Sequence, residues 1–145
     1  MLGIPSQYLD PNADGWDWIG LNMNDGAAVM AFRIRDTKGN TLWAAGTQRD
    51  AGGQTRSLGA DQIKFVPRRW WRSPRTGTTY PVSWQVNVGD HHYELDPLMD
   101  DQENDTRLST GTIYWEGAVR VNESGHESGR GYLELTGYEK PLTLR

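Results

Sequence analysis

The sequence predicts an all-β fold, a single antiparallel up-and-down β-barrel of about 8–10 strands. Three observations carry this. Short segments rich in Trp, Tyr, Val and Ile alternate apolar and polar residues with period two, the pattern of a half-buried strand. Turn formers recur between them at roughly ten-residue spacing, at Asn24-Asp25-Gly26, Asp36-Thr37-Lys38-Gly39-Asn40, Asp50-Ala51-Gly52-Gly53 and Gly89-Asp90. No segment sustains the 3.6-residue period of a helix. Strands joined by short hairpins form a meander, and closing it removes two edges that would otherwise invite aggregation.

Residues 1–14 are predicted irregular, with Pro5 and Pro11, and Leu2, Ile4, Tyr8 and Leu9 are placed under one end of the barrel. The first strand is predicted over 15–23. Asn24-Asp25-Gly26 turns it back, because Gly accepts positive φ at little cost. Strands follow at 27–35, 41–48 and 54–58, then at 63–66, where Pro67 argues against a central position in the sheet. Tyr80, Val82, Trp84, Val86 and Val88 share one face of a strand over 80–88, and 91–95 is its hairpin partner. Residues 97–109 are acidic and read as a loop. The chain closes with a hairpin of 113–121 and 129–138 around the polar loop 122–128. One domain is predicted over 15–138, with a tail at 139–145.

The 145 residues suffice for one domain with a real core. Only 36% are hydrophobic, but 7 Trp compensate with large buried rings. There is no Cys, hence no disulfide or thiolate site. A formal net charge of -4 argues against general nucleic-acid binding, and no run is long enough for an apolar membrane span. No leader-like stretch is read ahead of the first strand. His91 and His92 point to opposite faces of a strand and His126 lies in a loop, so no metal site is expected. The acidic residues 96–105 miss the spacing of a calcium loop, no Gly-x-Ser-x-Gly motif is present, and no cofactor is expected.

Gly15-Trp16-Asp17-Trp18, then Trp71-Arg72-Ser73-Pro74-Arg75-Thr76-Gly77 with Tyr80-Pro81, then Tyr114-Trp115-Glu116-Gly117, and finally the run Gly131 to Tyr138 resemble the C-terminal lipocalin-like domain of the AttH family. The resemblance spans about 15–138. It implies a lipocalin-like (calycin) barrel, kinship with carotenoid 1,2-hydratases, predicted secreted hydrolases and lipocalin-like pericyclases, and a secreted, periplasmic or membrane-associated parent. It also implies a second lipocalin-like domain ahead of this one. A His-Glu-Trp-like motif expected there is replaced by Leu2-Gly3-Ile4-Pro5-Ser6-Gln7-Tyr8.

Three functions follow as expectations. In the first, the barrel holds an apolar terpenoid, polyene or lipid-like molecule against an inward face that includes Ile19, Met30, Phe32, Trp84, Tyr93, Trp115 and Leu133. In the second, the domain promotes hydration or cyclisation of an isoprenoid or polyene, with Asp17 or Glu116 as acid, because a carboxyl walled by indoles loses hydration and retains its proton. In the third, it is a structural half, inactive alone. The outward face is predicted to carry Trp16, Trp18, Arg33, Tyr114, Tyr132 and Glu134, an aromatic surface suited to a partner domain or a second copy of the chain. Reversing inside and outside would instead bury Arg33 beside Glu116 or Glu134.

Overall fold

A computed structural model describes residues 11–139; the expected packing of Leu2, Ile4, Tyr8 and Leu9 lies outside them. Among the described residues ten strands run β1 (Ala13–Met23), β2 (Ala28–Asp36), β3 (Thr41–Arg49), β4 (Thr55–Leu58), β5 (Ile63–Arg72), β6 (Thr79–Val88), β7 (His91–Pro97), β8 (Glu103–Asp105), β9 (Ile113–Glu123) and β10 (His126–Leu135), with a 3-10 turn at Ala60–Gln62. They form one sheet in the order β4-β3-β2-β1-β10-β9-β7-β6-β5, with β8 added on β9. Every pairing is antiparallel. First and last strands thus lie side by side in the middle. The final hairpin is tighter than expected: Ser124 (φ 50) and Gly125 (φ 80) both take the left-handed conformation that a two-residue turn requires.

The predicted closed barrel is overturned. The sheet stays open, because β4 and β5, its two end strands, do not pair. β4 is four residues long and mostly exposed. β5 carries Pro67, which has no N–H to donate, and the ladder to β6 shifts at Pro67/Arg69 and Arg69/Trp70. β5 approaches β3 without a ladder, with Ile63 Cδ1 over Gly46, 3.1 Å from where a Cβ would stand.

The curl wraps a filled core. Ile19, Val82, Trp84, Val86, Tyr93, Leu95, Trp115, Val119, Val121, Leu133 and Leu135 are at most 2% exposed. Each such side chain stabilises the fold by roughly 1.5–3 kcal/mol. Both central indoles satisfy their N–H, Trp84 on the Pro81 carbonyl (2.7 Å) and Trp115 on that of Asp100 (2.8 Å). An apolar ligand held inside the sheet is therefore ruled out as the main function, since protein side chains occupy the centre.

The faces of β2 are inverted from the prediction. Val29, Ala31 and Arg33 point inward, while Met30 and Phe32 point out. Small residues suffice on β2 because Trp84 and Phe65 reach across the core towards it, and Arg33 lies over both rings (5.4 and 5.7 Å). Phe32 packs on Trp43 of β3 outside (5.2 Å).

Candidate functional site

Two buried carboxylates organise one end of the curl. Asp17, fully buried, stands directly opposite Arg33 in the β1–β2 ladder. Its Oδ2 accepts Arg33 Nε (2.8 Å), and its Oδ1 accepts Arg35 Nη1 (3.1 Å) and Tyr138 Oη (2.7 Å). Arg33 also donates to Gly39 O and Thr41 Oγ1, and Arg35 to Thr136 O while lying over the Tyr138 ring (3.7 Å). Burial, then the Asp17 charge, pushes the Tyr138 phenol well above its usual range, so it remains a donor. Arg33, predicted to face outward, is thus an interior group, and its partner is Asp17 rather than Glu116 or Glu134.

Glu103 is the second centre. Its side chain has no exposure and accepts Ser73 Oγ (2.6 Å), Thr76 Oγ1 (2.7 Å), Tyr80 Oη (2.7 Å) and Arg75 Nη2 (3.3 Å). The Tyr80 ring lies between Trp71 (6.3 Å, stacked) and Tyr138 (6.1 Å). The loop expected at 97–109 therefore contains a strand, β8, that fastens the 71–77 motif to the core. Nothing in an acidic, turn-rich stretch marks one of its carboxylates as buried. The neighbouring acids behave as expected of surface groups: Asp100 pairs with Arg69 and Asp101 with Arg75.

The outer face of β9, β10 and β1 is where carboxylates meet both solvent and aromatic rings. Glu116 and Glu134 are directly opposite in the β9–β10 ladder, and Trp18 is opposite Glu134 on β1. Glu134 accepts Trp16 Nε1 (3.0 Å), and Glu116 accepts Tyr132 Oη (3.3 Å). Tyr114 lies two residues before Glu116 on the same face. Burial, then the Glu116 charge, raises the phenols of Tyr114 and Tyr132, keeping both protonated near neutral pH. Two carboxylates opposite each other on a sheet repel when both are ionised. The predicted outward residues Trp16, Trp18, Tyr114, Tyr132 and Glu134 do share this face with Glu116.

Beside them runs a shallow groove of about 420 Å³ lined by Trp18, Gly20, Met30, Thr47, Arg49 and Tyr132 among others. Gly20, having no side chain, lets the Trp18 ring fold across it, 2.7 Å from where a Cβ would stand. A larger cavity of about 1180 Å³ opens at the hairpin end of the curl, among Met23, Gln48, Arg56, His91, Tyr93 and Glu123. There His91 Nδ1 meets Glu123 Oε1 (2.9 Å), and burial pushes the Tyr93 phenol up to about 12.

Of the predicted ligand contacts, Ile19, Trp84, Tyr93, Trp115 and Leu133 are core residues, whereas Met30 lines the outer groove and Phe32 lies on that same outer face. Among the described residues no three His, Cys, Asp or Glu side chains converge as a metal site, and no helix is long and apolar enough to cross a membrane.

Comparison with known proteins adds the following. Residues 4–138 match the family described as AttH-like. The crystal structure of a protein described as an AttH, from Nitrosomonas europaea, is 53% identical with a TM-score of 0.85, over 90% of this chain and 41% of that one. Kievitone hydratase from Nectria haematococca is 22% identical with a TM-score of 0.63, over 88% of this chain and 40% of that one, and shares the fold. The chain thus spans about two fifths of the length of either protein. No curated protein matches it.

Proposed function

The chain belongs to the AttH-like family, and from that premise we propose that it takes part in acid-promoted hydration or cyclisation of an isoprenoid or polyene on the outer face of β1, β10 and β9. The observation that carries this reading is the opposed pair Glu116 and Glu134, set among Trp16, Trp18, Tyr114 and Tyr132. A hydratase with the same fold supports the reaction class, as that protein's name.

Protonating an alkene needs an acid beside an apolar surface, and the resulting carbocation needs electron-rich neighbours. In this reading the Glu116 carboxyl gives its proton to an alkene carbon, and indole and phenol faces stabilise the cation on the adjacent carbon. A water oxygen then bonds to that carbon and releases a proton to Glu134, positioned by the Trp16 indole N–H. In cyclisation a second double bond attacks the cation, and Glu134 takes the proton that restores neutrality. Proton return from Glu134 to Glu116 resets the pair, which stands face to face across the ladder. Asp17, enclosed by three donors and without solvent access, is assigned the role of holding β1 and β2 beneath this face. The expected second domain, or a second copy, would close the face and exclude bulk water.

The test is incubation with prenylated phenols and polyenes in oxygen-18 water, read by mass spectrometry. The native chain, alone or joined to the remainder of its longer relatives, should either add labelled water or, in cyclisation, give an isomer of unchanged mass that separates on chromatography. Glu116→Gln should lower the rate by about 10²–10⁴ with an unchanged circular dichroism spectrum. Product, labelled or isomeric, formed at an undiminished rate by Glu116→Gln, or by no form of the native protein, overturns the proposal.

A further inference from the structure

The registers of the sheet divide the outer face into rows. Glu116, Glu134, Trp18 and Phe32 form the acidic and aromatic row. Two residues further along each strand pair lie Ala118, Tyr132, Gly20, Met30 and Thr47, a mostly apolar row, and Gly20, Met30, Thr47 and Tyr132 of it line the groove. Two further on again come Arg120, Arg130, Asn22, Ala28 and Arg49. Three guanidiniums therefore share one row, and Arg120 stands directly opposite Arg130. Arg130 is engaged by Glu127 (2.8 Å). Asp96 opposes Arg120 across the β7–β9 ladder, but its carboxylate takes the Ser83 hydroxyl (3.0 Å) and forms no ion pair there. Among the described residues Arg120 and Arg49 are in no salt bridge, and Arg49 ends the groove.

Such a row is unfavourable on its own, because like charges across a ladder repel. An anion laid over it removes that cost. The geometry points to an amphiphile with an anionic end, carboxylate or phosphate, as the ligand of this face: the anion lies over Arg120 beside Arg130, the chain crosses the apolar row at Ala118 and Tyr132, and the double bond lies at Glu116. From Glu116 to Arg120 is four residues of β9, about 13 Å at about 3.3 Å per residue, so the reacting bond lies well down the chain from the charged end. This rests on the reading of Glu116 as the acid for the site of the reaction, but not for the recognition of the anion.

Quenching of tryptophan fluorescence tests it with matched pairs: retinoic acid against retinol, and farnesyl phosphate against farnesol. The anionic member of at least one pair should bind at least ten-fold tighter, with the advantage shrinking as salt rises, because exposed charges are screened. Which pair shows it separates carboxylate from phosphate. Arg120→Gln with Arg130→Gln should abolish the anion's advantage over the alcohol. Equal affinity within both pairs, an advantage that survives the double variant, or no binding of any probe overturns the inference. Selective anion binding that persists while Glu116→Gln leaves turnover intact would instead refute the catalytic reading and retain this one.

Discussion

Asp17→Asn isolates the buried ion cluster on which the outer face rests. Asparagine preserves shape, so no cavity forms, but one carboxylate oxygen becomes an NH2 donor pointed at other donors. The remaining oxygen can serve Arg33 or the Arg35 and Tyr138 pair but not both; turned to the latter, it leaves Arg33 with only Gly39 O and Thr41 Oγ1, both at 3.3 Å. Both guanidiniums stay at 5% exposure or less, with no other carboxylate paired to them. Breaking a buried pair from one side costs about 3–5 kcal/mol. For a chain of this size that lowers Tm by roughly 6–20 °C, at about 2–4 °C per kcal/mol. In urea, with a slope of about 2 kcal/mol per M, the midpoint should fall by about 1.5–2.5 M. The assay is urea unfolding followed by tryptophan fluorescence, with Arg107→Ala as the surface control, since Arg107 is exposed and pairs only locally with Asp105. A midpoint for Asp17→Asn that matches the control would refute the claim that this cluster holds the strands together.

Glu103→Gln should cost about 1.5–3 kcal/mol, the worth of one hydrogen bond to a charged group, and should speed amide exchange in the loop anchored through Ser73 and Thr76. Gly137→Ala should destabilise by at least about 1–3 kcal/mol, because Gly137 has φ 82 and a Cβ there would meet the Asp14 carbonyl; thermal unfolding measures it. Stability should also fall in alkali. An unfolded tyrosine loses its proton near pH 10, while Tyr93 keeps its own to about 12 and Tyr80 and Tyr138 are raised further by burial. Above about pH 10 the unfolded state therefore binds fewer protons than the native one, so stability declines through that range and is complete below it. Urea midpoints across that range test it.

The strand pattern was legible because period-two alternation and turn chemistry are local, and both survive into the fold. Closure was not, because it depends on whether two distant edges pair; Pro67 gave the one local warning that β5 would be an edge. β2 misled because size was taken for inwardness. Phe32 and Met30 are larger and more apolar than Ala31 and Arg33, yet rings from the far side of the sheet fill the space Ala31 leaves, and Asp17 draws Arg33 in. The outer aromatic face was readable from Trp16, Trp18, Tyr114, Tyr132 and Glu134, which alternate with inward residues, apolar apart from Asp17 and the glycines. The Glu103 cluster left no trace in sequence, since its donors lie 23 to 30 residues away.

Ligand is expected on the outer face of the sheet, whose centre is filled by side chains. Intermolecular nuclear Overhauser effects between farnesol and the protein test that most directly. Contacts from the farnesol methyls to the rings of Trp18 and Tyr132, with none to Trp84 or Trp115, are the predicted result. Contacts to Trp84 or Trp115 would place the ligand in the core and contradict it.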